Sequence, residues 1–526
     1  MTTVAITETD VAIVGAGAAG SVFAALLAEA GKRVQILETG PARQLDDLYS
    51  SQIWARKLKW AEPHVAEVNP QDSLSFNFNA GRGVGGAAVH HYGVWPRFHE
   101  NDFKERSEFG KGLDWPLEYA DLRPWYDRVQ KEVGVAGDAD AEIWRPPGDP
   151  YPLPPVPRFA QGQILAKGFE KAGLNVAPVP VAILTQPYQG RPACIWDGWC
   201  DAGCPTGALA NPLVVYLPRA RKAGATIQAN SHVTRVLSNR KGNRVTGVEY
   251  YDQDGERHEL RAKLVVLTAF TIENVRILLN SATARDDKSL ANSSGLIGAY
   301  LMSHPGVIHS GMFEDDTQNH LGISGGQIIN QDHFDKTGGD GAFGSRQWIG
   351  GLALKPNDLL GIAMSRVDII GAELEPFMQR AAKKLAQIVS INEDQPLEQN
   401  RVELADDKDA YGYRLARIRY QTSPDGMGLW QQAAKEGLEI MKAAGAKDAW
   451  HGPKVSQHLM GGTVMGADPE RSVANSYGQA HDVDNLFLGG GGLFPTSSAV
   501  NSTFTIHAVA MRSADYLVNN WAALTD

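Results

Sequence analysis

Asp10-Val-Ala-Ile-Val-Gly15-Ala-Gly17-Ala-Ala-Gly20 is an apolar run that closes on three spaced glycines. It predicts a buried strand turning sharply into a helix. Residues 21–29 continue as a helix with small residues on one face. Residues 31–38, Gly-Lys-Arg-Val-Gln-Ile-Leu-Glu, give a turn and a second strand ending in an acid. The resulting βαβ unit has the length of a dinucleotide-binding motif. Gly15 permits the tight turn, Gly17 lets the backbone approach a pyrophosphate, and Gly20 lets helix and strand pack closely. The helix N-terminus faces the phosphates. Glu38 lies 18 residues past Gly20, where a ribose-binding carboxylate is expected. The fold class expected is α/β, with a Rossmann-like domain. FAD and NAD both satisfy the fingerprint, which does not choose between them.

Composition narrows the class. The chain has 526 residues, of which 43% are hydrophobic and 21% charged. That length allows roughly two or three domains. A net charge of −10 without any basic run argues against nucleic acid as a partner. Residues 1–10 hold no Lys or Arg and no apolar core, so no secretory signal is read there. No run of about 20 apolar residues predicts a membrane span. All three cysteines fall in Cys194-Ile-Trp-Asp-Gly-Trp-Cys200-Asp-Ala-Gly-Cys204, with none elsewhere to close a long loop. A disulfide framework is thereby excluded.

Three further segments choose the cofactor. They are Gly81-Arg-Gly-Val-Gly85-Gly86-Ala-Ala-Val-His90-His91, Val455-Ser-Gln-His458-Leu-Met-Gly-Gly-Thr-Val-Met-Gly, and the glycine-rich run from Asn485 through Asn501 to Thr503. Together with the N-terminal unit they resemble the glucose–methanol–choline (GMC) family of FAD oxidoreductases. The resemblance covers nearly the whole chain. It is strongest to catalytic flavoprotein subunits of bacterial sugar dehydrogenases, through Arg191-Pro-Ala-Cys194, Cys204-Pro-Thr-Gly-Ala, Asn101-Asp-Phe and His304-Pro-Gly. The Asn485-Leu-Phe-Leu-Gly-Gly run is similar to pyranose oxidases. The sequence departs from these relatives at Val89 and His91, where many carry aromatics, and at residues 269–274, which lack a usual glycine.

Oxidising an alcohol or hemiacetal requires a base for the hydroxyl proton and an acceptor for the hydride, which in a flavin is N5. A histidine suits the first task because its pKa lies near working pH. The resemblance implies that His458 is this base and that Asn501 is its partner on the same substrate oxygen. It assigns cofactor binding to Gly15, Gly17, Gly20, Glu38, Gly85, Gly86, Gly490 and Thr503, and places the Val233 backbone against the adenine. His90 occupies the position at which pyranose oxidases bond the flavin covalently; FAD linked through His90 and FAD held without a bond both stay open.

Cysteines spaced Cys-x5-Cys-x3-Cys, with glycines and a proline around them, suit a loop wrapped about one site. Three thiolates fit a cuboidal [3Fe–4S] cluster, or a [4Fe–4S] cluster with one other ligand. A closed zinc site wants four ligands, and bare thiols are the remaining alternative. The resemblance implies a [3Fe–4S] cluster on Cys194, Cys200 and Cys204, shielded by Trp196 and Trp199. Such a centre would relay electrons singly to a cytochrome c or another acceptor. A small helper subunit carrying an export signal is implied too, which would place the protein in the periplasm; without such a partner it would be cytoplasmic.

The resemblance implies a discontinuous FAD-binding domain, residues 1–300 and 455–526 including the cysteine loop, and a mixed α+β substrate domain at 301–454. Residues 322–351, rich in Gly, Asn and Asp, read as a long loop and candidate substrate lid. Residues 143–158 hold seven prolines and read as a stiff extended connection. The activity expected is oxidation of a sugar or sugar-derivative hydroxyl. An oxygen-using oxidase and a non-catalytic flavin-binding assembly subunit are the alternatives.

Overall fold

A computed structural model describes residues 5–66, 79–281, 289–337 and 341–525. The apolar run becomes the strand Ala5–Val14, with Val11, Ala12 and Ile13 fully buried. It pairs in parallel with Val34–Leu37 on one side and Arg257–Leu267 on the other. Thr226–Gln228 extends the sheet beyond Val34–Leu37, while Val245–Tyr251 and His232–Ser238 extend it antiparallel at the opposite end. The long strand Arg257–Leu267 divides one edge between two neighbours. Its first half pairs with Val245–Tyr251 and its last residues with Leu486–Leu488. Asn485 fills the junction: its amide accepts from the Val245 N–H and donates to the Val245 and Lys263 carbonyls.

The helix Ala18–Glu29 that leaves the first strand is buried over most of its length. It packs between Thr503–Asn519 and Tyr216–Lys222. Its alanines and glycine allow helices to cover both sides, so the expected layered α/β core is present.

A second sheet is antiparallel and runs Asp448–His451, Met302–Met312, Leu385–Asn392, Arg346–Gly350, Ile328–His333, Ala177–Pro178. Met302–Met312 also divides one edge, between Asp448–His451 and Val455–Met460. The helices Ala160–Lys171 and Pro424–Ala443 pack together on this sheet.

The course of the chain differs in several places from that expected of its sequence order. Val455–Met460, in the C-terminal share by sequence, is hydrogen-bonded into the second sheet. The hairpin Arg401–Lys408 with Arg414–Arg419, inside 301–454, contributes Val402, Ala416 and Ile418 to the core of the first sheet. Ala160–Lys171, from the first share, packs on the second sheet. Pairings across hundreds of residues leave no mark on local periodicity, so sequence order hides them. Among the described residues, 322–351 are not one long lid-like loop. They form two buried strands of the second sheet, Ile328–His333 and Arg346–Gly350. The glycines that suggested a loop, Gly322, Gly326, Gly344 and Gly351, take positive φ at the turns that flank these strands.

One ionic knot fastens the N-terminal share to the second sheet. Lys336 is fully buried, with its ammonium 2.6 Å from Asp102, 2.9 Å from Glu105 and 2.7 Å from Glu393. Burial and the neighbouring Glu393 push the Glu105 carboxyl well above the usual range. Against the cost of burial, Lys336 holds Glu393 below it.

Candidate active site

A cavity of about 470 Å³ lies between the two sheets, within the range of ligand-binding sites. Gly15, Gly17 and Glu38 line it from the first βαβ unit, Gly86 and His90 from the second glycine loop, and Val233 from the strand His232–Ser238. Gly490, His458, Asn501 and Thr503 enter from the C-terminal segments. Gly20 and Gly85 stand behind the wall. A Cβ on Gly20 would come 2.1 Å from the Gly15 carbonyl oxygen, and one on Gly85 would come 2.3 Å from Val89. These two glycines shape the turns rather than face the cavity.

The first turn is open where a dinucleotide requires it. A Cβ on Gly17 would meet nothing closer than Gly86 Cα at 4.0 Å. Gly17 is also the N-cap of Ala18–Glu29 and supplies no side-chain cap, which leaves the first helical amides for an anion. The Glu38 carboxylate accepts from the amides of Ala16, Gly40 and Gly83 at 2.9–3.0 Å. Its place at the strand end is thereby fixed.

Opposite this turn is the histidine expected to act as base. Across the edge of the second sheet Gln457 pairs with His304, but Met460 pairs with Met302. Two residues, His458 and Leu459, therefore oppose Ser303 alone, forming a bulge. His458 sits in the bulge with φ +56°, rare for a residue with a Cβ. Its Nδ1 is 2.9 Å from His304 Nδ1, and its Nε2 is 3.3 Å from Asn501 Nδ2. The Gln347 amide donates to Asn501 Oδ1 at 3.0 Å and Gln331 donates to Gln347 at 3.0 Å. Because the Asn501 oxygen is engaged, its N–H₂ must face the His458 lone pair. Burial, then the adjacent His304, push the His458 pKa down, which favours the neutral base.

The two histidines of the glycine loop have different surroundings. His91 Nε2 donates to the Ala210 carbonyl at 2.7 Å, and its Nδ1 accepts from the Gly93 amide at 3.1 Å. His90 is buried, lines the cavity, and has no partner for Nε2 among the described residues. Burial pushes its pKa down to about 3.

The cysteines lie outside the cavity wall, in a turn-rich loop as expected. Gly198 and Gly203 both take φ +73°. Cys200 is buried and the other two partly so, and all three are free. The Trp196 amide donates to Cys194 Sγ at 3.3 Å, and the Thr206 hydroxyl lies 3.1 Å from Cys204 Sγ. Cys200 lies beside Ser324, which lines the cavity and donates to the Gly198 carbonyl at 2.8 Å. The three sulfurs do not all lie within 4.8 Å of one another. Burial pushes the Cys194 thiol up to about 12, and raises Cys200 also. Amide and hydroxyl donors around sulfur are the contacts that tune a thiolate-held cluster.

A family model described as GMC oxidoreductase matches residues 9–306, and a second with the same description matches 396–510. The chain is a GMC oxidoreductase. It is 30% identical to the fructose dehydrogenase large subunit of Gluconobacter japonicus over 97% of this chain and 98% of that one. It is 31% identical to 2-methyl-1,2-propanediol dehydrogenase of Mycolicibacterium austroafricanum, over 99% and 97%. The gluconate 2-dehydrogenase flavoprotein of Pantoea cypripedii is 26% identical, over 96% and 93%. Formate oxidase of Aspergillus oryzae shares the fold at TM-score 0.69 and 15% identity, over 98% and 99%. Pyridoxine 4-oxidase from Mesorbium loti does so at 0.66 and 17%, over 97% and 99%. Within this GMC fold, His304, Gln331 and Gln347 complete the site but escape the reading of functional residues from sequence. His304 stands out only as part of the His-Pro-Gly motif, and the two glutamines carry no local signal. Among the described residues no helix is long and apolar enough to cross a membrane.

Proposed function

We propose that the cavity binds FAD and that the protein oxidises a hydroxyl of a sugar or sugar derivative, with His458 as base and Asn501 beside it on the substrate oxygen. The observation that carries this reading is the meeting of His458 Nε2 and the Asn501 amide at the cavity wall. The open face of Gly17, the uncapped helix and the fixed Glu38 suit the phosphates and ribose of the cofactor. When bound, FAD would take the hydride from the carbon whose hydroxyl proton passes to His458. The neutral imidazole accepts that proton at Nε2, and Asn501 orients the oxygen that loses it. The unpartnered Nε2 of His90 makes this histidine, rather than His91, the candidate for a covalent bond to the cofactor.

Cys194, Cys200 and Cys204 would hold a [3Fe–4S] cluster, which when bound would pass electrons on singly. Ser324, shared by the cavity wall and the cysteine loop, brings the two sites together. The surface around the loop supports an external acceptor. Ile195 is exposed there, as is Ile53 on the neighbouring segment. Hydrogen bonds Ser50–Asp197 and Gln52–Asp358 tie together the segments that carry them. Exposed apolar side chains on segments tied together in this way suit a protein interface. A cytochrome c or another subunit fits this reading, as does a helper subunit that would carry the protein to the periplasm; the name "large subunit" of the fructose dehydrogenase relative is in keeping with an assembly.

The test is iron and sulfide analysis with low-temperature EPR on the purified protein, before and after anaerobic addition of sugars and small diols. Roughly three irons per flavin, with a spectrum that changes on sugar addition, are expected. A response to diols alone would move the substrate toward that of the propanediol dehydrogenase relative. No iron, with stoichiometric peroxide in air, would replace the dehydrogenase by an oxidase. Flavin that no substrate bleaches would leave an assembly subunit.

A further inference from the structure

His304 is fully buried, and both its ring nitrogens are engaged. Its Nε2 lies 3.1 Å from the Ser497 carbonyl oxygen and 2.9 Å from that of Ser498. Carbonyl oxygens only accept, so Nε2 must carry the proton. The proton position follows from these partners. In neutral His304 the Nδ1 is then bare and can only accept. Its neighbour at 2.9 Å is His458 Nδ1, which must therefore carry a hydrogen and donate it. His458 Nε2 is left with its lone pair toward the cavity, where the Asn501 amide also points. Two backbone carbonyls thus fix the protonation of a ring two residues away in the relay.

We propose that His304 is a positioning residue that sets the tautomer of His458 and steadies the cation formed when His458 takes the substrate proton. The inference rests on His458 being the base. In the step, the substrate O–H bond breaks and an Nε2–H bond forms on His458. The resulting imidazolium donates its Nδ1–H to His304 Nδ1, and a hydrogen bond from a cation is stronger than one from a neutral ring. The proton goes no further, because the far side of His304 is already a donor to Ser497 and Ser498. Glu393 and Asp102 are the charged groups whose fields reach His304, and both favour positive charge in the pair. The bulge is what makes the contact possible. In a regular strand His458 would face away from His304, since only the residue directly across, Gln457, shares its side.

The test compares His304→Leu, His304→Asn and His458→Ala holoproteins by anaerobic stopped-flow reduction of the bound cofactor. His304→Leu should slow reduction about tenfold or more while cofactor content and KM stay near wild type. His304→Asn should recover most of the rate, because its Oδ1 accepts where Nδ1 did. A purely structural role would not separate the two variants. Equal rates in His304→Leu and wild type, or an equally slow His304→Asn, would overturn the inference. An unimpaired His458→Ala would instead overturn the assignment of the base. If His304→Leu does not fold, ¹⁵N-histidine spectra of the wild-type holoprotein decide. His458 protonated on Nδ1 and His304 on Nε2 are expected; the opposite pattern refutes the relay.

Discussion

The two large sheets share a device and differ in what they offer the cavity. In each, one long strand divides an edge between two partners, Val245–Tyr251 with Leu486–Leu488 in the first and Asp448–His451 with Val455–Met460 in the second. The first sheet is parallel around Ala5–Val14 and presents backbone: glycine turns, free helical amides, and an acid held by amides. The second is antiparallel and presents a side chain, His458, backed by His304, while its Gln331 and Gln347 hold Asn501 in place. Holding a cofactor needs room and fixed donors, whereas moving a proton needs one ring in one tautomer.

Substitutions on the two sides should therefore fail differently. His458→Ala should lower the rate of cofactor reduction by about 10²–10⁴ while leaving the cofactor bound. Anaerobic stopped-flow with absorbance at the cofactor band checks both. Lys336→Met should blur the contrast by loosening the joint between the two shares. It leaves three buried acids without their cation, and a loss of about 3–5 kcal/mol in urea unfolding is expected. Gly20→Ala and Gly17→Ala sharpen the comparison within the first sheet. The former drives a Cβ into the Gly15 carbonyl and should cost about 1–3 kcal/mol of apoprotein stability. The latter, at φ −83° and with open space ahead, should leave apoprotein stability within about 1 kcal/mol of wild type yet lose the cofactor. Calorimetry of apoprotein with cofactor titration separates the two.

A further effect is graded by pH. Burial lowers the pKa of His90 to about 3 and those of His304 and His507 to about 4. Below about pH 6.5 the unfolded chain binds protons that these folded rings refuse. Stability from each is then whole above that pH and lost as pH falls toward about 4, at about 1.4 kcal/mol per pH unit per histidine. Urea midpoints measured between pH 7 and 5 should fall accordingly. A flat profile would show that these rings are hydrated in the folded state.

What the sequence discloses follows the same division. Gly15, Gly17, Gly20 and Glu38 are legible because a βαβ unit is local, and each residue has its function within thirty positions of the others. His458 and Asn501 are legible only through family resemblance, since 43 residues separate them. Gln347 and Gln331 are not legible at all, because their meaning is a hydrogen bond to a side chain 154 residues away and then one to each other. The supposed lid fails for a related reason. Glycine-rich turns flank both of its strands, and composition averages the turns with the strands they join.

The bulge at His458 makes the active site depend on a count as well as on residue identity. Removing Leu459 would take away no titratable group, yet it would bring His458 opposite Ser303 and leave Met460 opposite Met302 in unbroken alternation. The histidine would then point to the far side of the sheet, the same ring turned away from His304 and Asn501. A deletion of a single codon there is therefore as damaging as the loss of the histidine itself. For anyone transplanting it, the unit to copy is a pair of strands with unequal numbers of residues.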